Sequence, residues 1–387
     1  IAMFHNLPDG GAKRMFLEFA ENLAEKRHEI DFYFYRETKR PIFKLSNKLT
    51  VKNLNYIELP PLAPNSPKNY LSYLLLGKYK ILCKSLAKKI DDKKYNLVIL
   101  GGDWITQVPI LAIFLSTPCV YIGHELRREF YEKTEWGFLR SIKQLPWKLL
   151  TRKIKTLEKI SLTKAKMTIV NSFFSKKAFE KVKREGNKYK VIYPFVSRRF
   201  ITSSQIGKHQ TERENFFLSV GNFSFLKGHD FVLKAINKLP KKLRFPLYLV
   251  GTGGPHLPQI MKLAKKMDIS LIPKQRIPEK TLYQLYNKCR AFFFFPRNEP
   301  FGLSVFEALC LKNKVFAINE GGFAEIAWES KNCSLLPRDK KIFANKLKNY
   351  LQSPTINYDD YFIKKVIKKK LSVECYTNRF LKLVKKL

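Results

Sequence analysis

Glu299 and Glu307 stand with seven residues between them in the stretch NEPFGLSVFEALCLKNKVFAINEGGFAEI. An ionised carboxylate only accepts hydrogen bonds and can take two from a vicinal diol, so this pair suits a ligand rich in hydroxyls, such as a ribose or a hexose. Taken singly, each glutamate has a plainer reading. Glu307 is then a first-turn glutamate favoured by the helix dipole, and Glu299 a solvated loop residue.

The elements around the pair decide where it sits. Ala291 to Pro296 is an almost pure aromatic run that reads as a buried strand, and Leu303 to Lys312 carries apolar residues at helical spacing. A second apolar run, Val315 to Ile318, leads into Gly321-Gly322 and a helix-like stretch from Ala324. In open parallel sheets, ligands bind beyond the carboxyl ends of the strands. The loops Asn298 to Leu303 and Asn319 to Phe323 are therefore expected to open together at that edge.

The whole stretch resembles the donor-site signature of retaining glycosyltransferases of family 4, also called group 1, which use nucleotide sugars. Glu299, Phe301, Gly302, Leu303, Glu307 and the loop Asn319-Glu320-Gly321-Gly322-Phe323 match its pattern. The resemblance implies that Glu299 contacts the transferred sugar, the backbone of Phe301 to Leu303 the diphosphate and sugar, and Glu307 the ribose hydroxyls. Lys227-Gly228 in GNFSFLKGHD matches the family lysine. A leaving diphosphate gains negative charge as the glycosidic bond breaks, and a positioned cation stabilises it. The family arginine that follows the glycine equivalent to Gly221 is replaced here by Asn222, which leaves one cation fewer, and Arg297 is the residue expected to supply the missing charge.

The resemblance extends over nearly the whole chain and implies the α/β architecture known as GT-B, two Rossmann-like domains facing a central cleft. The N-terminal string HNLPDGGAKR resembles the family's glycine loop, with Gly10 and Gly11 open to backbone contact; Lys13 and Arg14 read as solvated first-turn residues. His124, after the strand Cys119 to Ile122, fits the place of the family histidine that reaches the donor sugar. Other strands read from the sequence are Ile1 to Phe4, Ile30 to Tyr35, Leu97 to Leu100, Met167 to Val170, Phe216 to Val220 and Pro246 to Val250. Asn171-Ser172 reads as a helix N-cap. The apolar stretch Val108 to Ile122, broken by Pro109 and Pro118, reads as a helix then a strand.

These signals divide the chain into an acceptor-side domain over 1–200, a polar linker over 201–215, a nucleotide-sugar domain over 216–356, and C-terminal helices over 357–387 that return to the first domain, as in relatives. The chain opens inside its first strand, so a few further residues are expected upstream, and no signal peptide is read.

Composition narrows the function. At 387 residues with 45% hydrophobic content, the chain can bury two sizeable cores. Six widely spread cysteines suggest reduced thiols of a cytosolic protein, not a metal or disulfide framework. A net charge of +41 asks for anionic partners, but no nucleic-acid module accompanies it, so nucleic acid is not expected as a partner. Residues 133 to 166 hold ten basic and two acidic residues, with Trp136, Phe138 and Trp147 among them. Such a segment reads either as an interfacial helix for anionic lipid or as a basic, partly buried helix. The expected partners are a nucleotide sugar, a glycan or lipid-linked acceptor, and an anionic membrane surface reached from the cytoplasm. With no Asp-x-Asp string to hold a divalent ion on the diphosphate, metal-independent transfer of a hexose is expected. The NEGGF loop and the GHELRREFYE string resemble family branches that use GDP-mannose, so the resemblance implies that donor.

Overall fold

The computed structural model describes residues 1–7, 10–36, 51–60, 62, 77–131, 145–182, 188–205, 213–354 and 359–387. They form two compact units, one of Ile1–Ile192 with Arg379–Leu387 and the other of Tyr193–Asn378.

The first unit is built on a seven-stranded sheet in the order β3-β2-β1-β4-β5-β6-β7, with every pairing parallel. Its strands are β1 (Ala2–Asn6), β2 (Ile30–Tyr35), β3 (Leu54–Leu59), β4 (Val98–Asp103), β5 (Cys119–Gly123), β6 (Met167–Val170) and β7 (Tyr189–Val191). Strands β1, β4, β5 and β6 are buried at every position, as expected of parallel strands whose two faces are both covered. The helix Gly11–Glu25 follows β1 and buries Met15, Phe16, Phe19 and Leu23.

The second unit repeats the plan with six parallel strands in the order β10-β9-β8-β11-β12-β13. These are β8 (Glu214–Val220), β9 (Leu247–Gly251), β10 (Leu271–Gln275), β11 (Cys289–Phe294), β12 (Val315–Ile318) and β13 (Cys333–Leu336). The aromatic run read from the sequence is β11. On one face, Phe293 and Phe295 meet the ring of Phe343 edge-on at 5.1 and 4.8 Å, and Phe231 stacks on Phe295 at 5.0 Å. Each such ring pair adds about 0.5–1.5 kcal/mol beyond its buried area. This packing fixes the central strand from which the glutamate loop departs.

Several boundaries differ from those read in the sequence. The polar stretch expected as a linker begins inside a helix, Arg198–Gln205, because Phe200 is fully buried there; residues 206–212 lie outside the described ones. The unit boundary therefore falls before it, at Ile192. Most of the C-terminal region also belongs to the second unit: Phe362, Val366, Ile367 and Leu371 lie in its core, and Val196 N–H donates to the Leu371 carbonyl at 2.9 Å. Only Arg379–Leu387 joins the first unit, where Phe380 meets Phe19 edge-on at 5.0 Å. Between Pro109 and Pro118 the expected helix is a single 3₁₀ turn, Ile110–Ile113, since the two prolines leave no room for a regular one.

The helix Leu145–Lys164 is the regular part of the basic segment, with Ile154, Glu158, Ser161 and Leu162 buried and Ile160 exposed. Trp136 and Phe138 lie outside the described residues. Among the described residues, no helix is long and apolar enough to cross a membrane.

Candidate active site

In each sheet the strand order reverses beside the first strand of the unit, between β1 and β4 and between β8 and β11. Such switch points open a crevice at the carboxyl ends of the strands, where ligands of doubly wound folds bind. In the second unit, the segment after β8 carries Lys227 and the segment after β11 carries Glu299. They meet: Lys227 Nζ lies 2.7 Å from Glu299 Oε2 and 2.9 Å from Oε1.

Local backbone chemistry makes this meeting possible. Lys227 ends the short turn Phe225–Lys227, and the next residue, Gly228, is left-handed at φ 67°. A Cβ on Gly228 would lie 1.9 Å from the Phe295 carbonyl oxygen, so only glycine lets the turn press against the end of β11. Gly221, the bend just after β8, lies under the lysine stem, where a Cβ would stand 3.3 Å from Lys227 Cγ and Cδ.

Arg297 braces the same turn. Its guanidinium donates to the Phe225 carbonyl at 2.6 Å and to both Asp230 oxygens at 3.2–3.3 Å, and lies 3.9 Å from the Phe225 ring centroid. Burial would raise the Asp230 carboxyl, but Arg297 and Lys234 hold it below its ordinary value. Arg297, expected to supply charge to a diphosphate, is paired here with Asp230 and braces the Lys227 turn. Asn222 is likewise engaged, accepting from the Thr252 hydroxyl at 2.6 Å and so tying the loop after β8 to the one after β9.

The two loops expected to share one edge are joined directly. Gly322 N–H donates to the Glu299 carbonyl at 2.9 Å, and Asn298 N–H to Glu320 Oε1 at 3.3 Å. Arg338 completes the joint by donating to Glu320 and to the carbonyls of Phe295 and Pro296. No local signal announces Arg338 or Asp230 in the sequence, because each acts on a loop far away along the chain.

Glu307 lies on the helix Leu303–Cys310 beyond its first turn and is only 4% exposed, so it is not the first-turn glutamate of the plainer reading. The hydroxyl of fully buried Tyr286 donates to Glu307 Oε2 at 3.1 Å. That bond fixes the orientation of the Glu307 carboxylate beside the helix start. The ring of Phe301 stacks on Phe306 in the core, so this residue can offer a ligand only its backbone. Gly302, left-handed at φ 74°, packs where a Cβ would lie 2.6 Å from the Phe294 ring, and Leu303 then starts the helix. Tyr286→Phe is expected to weaken donor affinity about 3–10-fold while costing about 1 kcal/mol of stability, read from KM and a melting curve.

In the first unit, Gly10 is extended and Gly11 begins the helix after β1, whose Arg14 N–H donates to the Gly10 carbonyl at 3.1 Å. Lys13 departs from the sequence reading: it is 6% exposed and faces His5. Asp103, at the end of β4, accepts from Asn6 at 3.2 Å, from Ile105 N–H at 2.7 Å and from the Tyr79 hydroxyl. His124 follows β5 as expected; its carbonyl accepts from Asn171 at 2.8 Å, and its Nε2 is buried with no partner. The helix Phe173–Val182 is capped by Ser172, whose hydroxyl accepts from Ser175 N–H at 3.0 Å. Gly10, Gly11 and His124 thus lie in one unit, and Lys227, Glu299 and Glu307 in the other.

Three imidazoles are held neutral. Burial, with Lys13 nearby, lowers His5 to about 3; burial lowers His124 to about 4; burial also lowers His229 to about 4. Their folded values lie below the unfolded one, so the stability they confer is complete above pH 6.5 and is lost as pH falls from there towards 4. At pH 5 each costs about 2 kcal/mol. Two of the three belong to the first unit, so melting at pH 5 is expected to show it unfolding before the second; a single unshifted transition is the contrary result.

Among the described residues, no three His, Cys, Asp or Glu side chains converge as a metal site, and all six cysteines are free.

This arrangement has known counterparts. A family model described as Glycosyltransferase Family 4 matches residues 9–200, and one described as Glycosyl transferases group 1 matches 202–369. The chain is 24% identical over 368 residues to the alpha-1,3/1,6-mannosyltransferase ALG2 of Saccharomyces cerevisiae, covering 83% of this chain and 70% of that one. Among solved structures it is similar to Anabaena HepE in complex with UDP and glucose, with a TM-score of 0.68 at 16% identity over 100% of this chain and 99% of that one. It is also similar to WaaG, a glycosyltransferase involved in lipopolysaccharide biosynthesis, with a TM-score of 0.69 at 15% identity over 98% of this chain and 99% of that one. With paired Rossmann-like sheets, both family models end to end, and the lysine and glutamates at the second switch point, the chain belongs to the GT-B glycosyltransferases of family 4.

Proposed function

We propose that the chain transfers a hexose, mannose from GDP-mannose, to a hydroxyl of a lipid-linked or polysaccharide acceptor in glycan assembly, with retention at the anomeric carbon and without a metal ion. The observation that carries this reading is the Lys227–Glu299 pair at the β8–β11 switch point. Mannose is favoured because the yeast relative is a mannosyltransferase.

In this reading the donor diphosphate takes Lys227 as its counter-ion, and Glu299, released from the pair, accepts from hydroxyls of the sugar. Glu307 accepts from the ribose. The bond from C1 to the diphosphate oxygen breaks, the acceptor oxygen bonds to C1 from the same face, and the acceptor proton passes to the departing phosphate. Lys227 stabilises the charge that grows on that phosphate. Gly10, Gly11 and His124 would serve from the first unit, His124 as a neutral imidazole. Catalysis would take place on the cytoplasmic side, with the protein peripheral on the membrane that presents the acceptor.

A second reading keeps the fold and changes the donor to a UDP-sugar, favoured by the HepE structure with UDP and glucose. A third, a scaffold with a decayed site, is motivated by Asn222. A thermal-shift screen across GDP- and UDP-sugars separates all three, since a ligand that binds only the folded chain at 100 times its Kd adds about 2.7 kcal/mol. GDP-mannose should raise Tm most, with EDTA making no difference; a rise with a UDP-hexose instead moves the donor, and none with any nucleotide sugar leaves the scaffold.

A further inference from the structure

The second unit carries a surface that the sugar chemistry does not use. Trp328, just after the short helix Ala324–Ala327, is 68% exposed, and Tyr361 is 67% exposed, the two most exposed aromatic side chains among the described residues. They are linked through the same small region. Ser330 Oγ donates to Asp359 Oδ2 at 2.9 Å, Lys331 N–H donates to the same oxygen at 2.7 Å, and Lys370 Nζ donates to Glu329 at 2.8 and 3.0 Å. The Trp328–Lys331 loop is thus fastened to both ends of the helical run Asp360–Lys370.

That run has two distinct faces. Phe362, Ile363, Val366 and Ile367 are buried in the core, while Tyr361, Lys364, Lys365 and Lys369 are exposed, with Lys331 exposed on the loop. Residues 362–367 wind as a π-helix, whose wider turn sets Lys364 and Lys365 side by side outside the buried pairs. Asp360 is the exposed acid in this run; Asp359 and Glu329 are occupied by the bonds above.

We propose that this face docks the second unit on the surface of an anionic lipid bilayer. Tryptophan and tyrosine favour the level of the lipid headgroups, and adjacent lysines are drawn to anionic lipid. Tyr361, Lys364, Lys365 and Lys369 on the exposed side of a helix whose other side is sealed into the core, with exposed Trp328 on the loop fastened to its ends, match an interface that is apolar below and negative above. A polyanion without bases would use the lysines but leave the two rings without a role, and a single-stranded nucleic acid, whose bases stack on such rings, is told apart by whether Trp328 enters vesicles. The surface is separate from the basic segment 133–166 of the first unit and does not depend on which sugar is transferred.

The test uses the full chain with Trp104, Trp136 and Trp147 replaced by phenylalanine, leaving Trp328 as the reporter, and vesicles of phosphatidylcholine with 30% phosphatidylglycerol. The emission of Trp328 should shift to the blue on these vesicles and be quenched by brominated lipid, and should not change on pure phosphatidylcholine. K364E/K365E should weaken partitioning about 30-fold, and K364A/K365A less, with unchanged melting. Vesicle binding with a silent Trp328 would overturn the proposal and leave docking to the first unit. Binding to heparin or RNA that depends on Lys364 and Lys365, without Trp328 entering vesicles, would overturn it in favour of a soluble polyanion.

Discussion

Lys227→Ala should lower kcat by 10²–10³-fold, about 3–4 kcal/mol of transition-state stabilisation, with a smaller change in donor KM. The lysine is the cation we propose for the departing diphosphate, and the Arg297 guanidinium nearby is bonded to Asp230 and lies over the Phe225 ring. The same substitution strips Glu299 of its counter-ion. Lys227→Met, which retains the stem over Gly221, separates charge from packing: it should be as inactive as the alanine variant and melt closer to the parent. Steady-state kinetics on both variants, with product release followed by nucleotide detection, checks this. A loss of less than tenfold would remove Lys227 from the chemistry.

Arg213→Ala should destabilise the second unit by about 3–5 kcal/mol and lower its Tm by about 6–20 °C. Arg213 lies just before β8, and its guanidinium gathers the ends of two helices. It donates to the carbonyls of Tyr286, Asn287 and Cys289 at 2.9, 2.8 and 3.4 Å, to those of Leu311 and Lys312 at 3.1 and 3.3 Å, and to Asn313 Oδ1 at 2.8 Å. A cation at two helix C-termini also faces the negative ends of both dipoles. Without it, several carbonyls lose their donors at once, and lysine cannot reproduce the fork. The two helices are those that carry Tyr286 and Glu307, so donor affinity should fall along with stability. Calorimetry and a donor titration on Arg213→Ala and Arg213→Lys test this; wild-type melting in either would refute it.

What the sequence disclosed and what it hid follow a physical division. β6 and β12 are buried at every position and β2 at half of its six, so they read as short apolar runs and their limits were legible to the residue. Lys227 and Glu299, which meet in the structure, stood out because each lies in a short string that resembles the family signature. The part-buried β3 and β13 were not found, because neither shows a long apolar run or a clear alternation. The Arg297–Asp230 brace, the Arg338 joint and the Arg213 clamp were hidden for a different reason. Each joins residues dozens of positions apart, and a lone arginine looks the same in sequence whether it faces solvent or a cluster of carbonyls. Lys13 shows the converse error, since a lysine in a first turn is solvated by default and is buried here by the crowding around His5.

The Phe19–Phe380 contact sets an order of events during synthesis. The segment that completes the first unit's core, Arg379–Leu387, is made only after the entire second unit has been translated. At 5–20 residues per second that is a delay of roughly 10–40 s. Throughout it the N-terminal sheet can form, yet Phe19 has no Phe380 to cover it, so the nascent first unit shows an apolar patch to whatever chaperone or membrane is near. The second unit, continuous in sequence, has no such wait, and the half of the enzyme that is translated later is the one equipped to finish folding first.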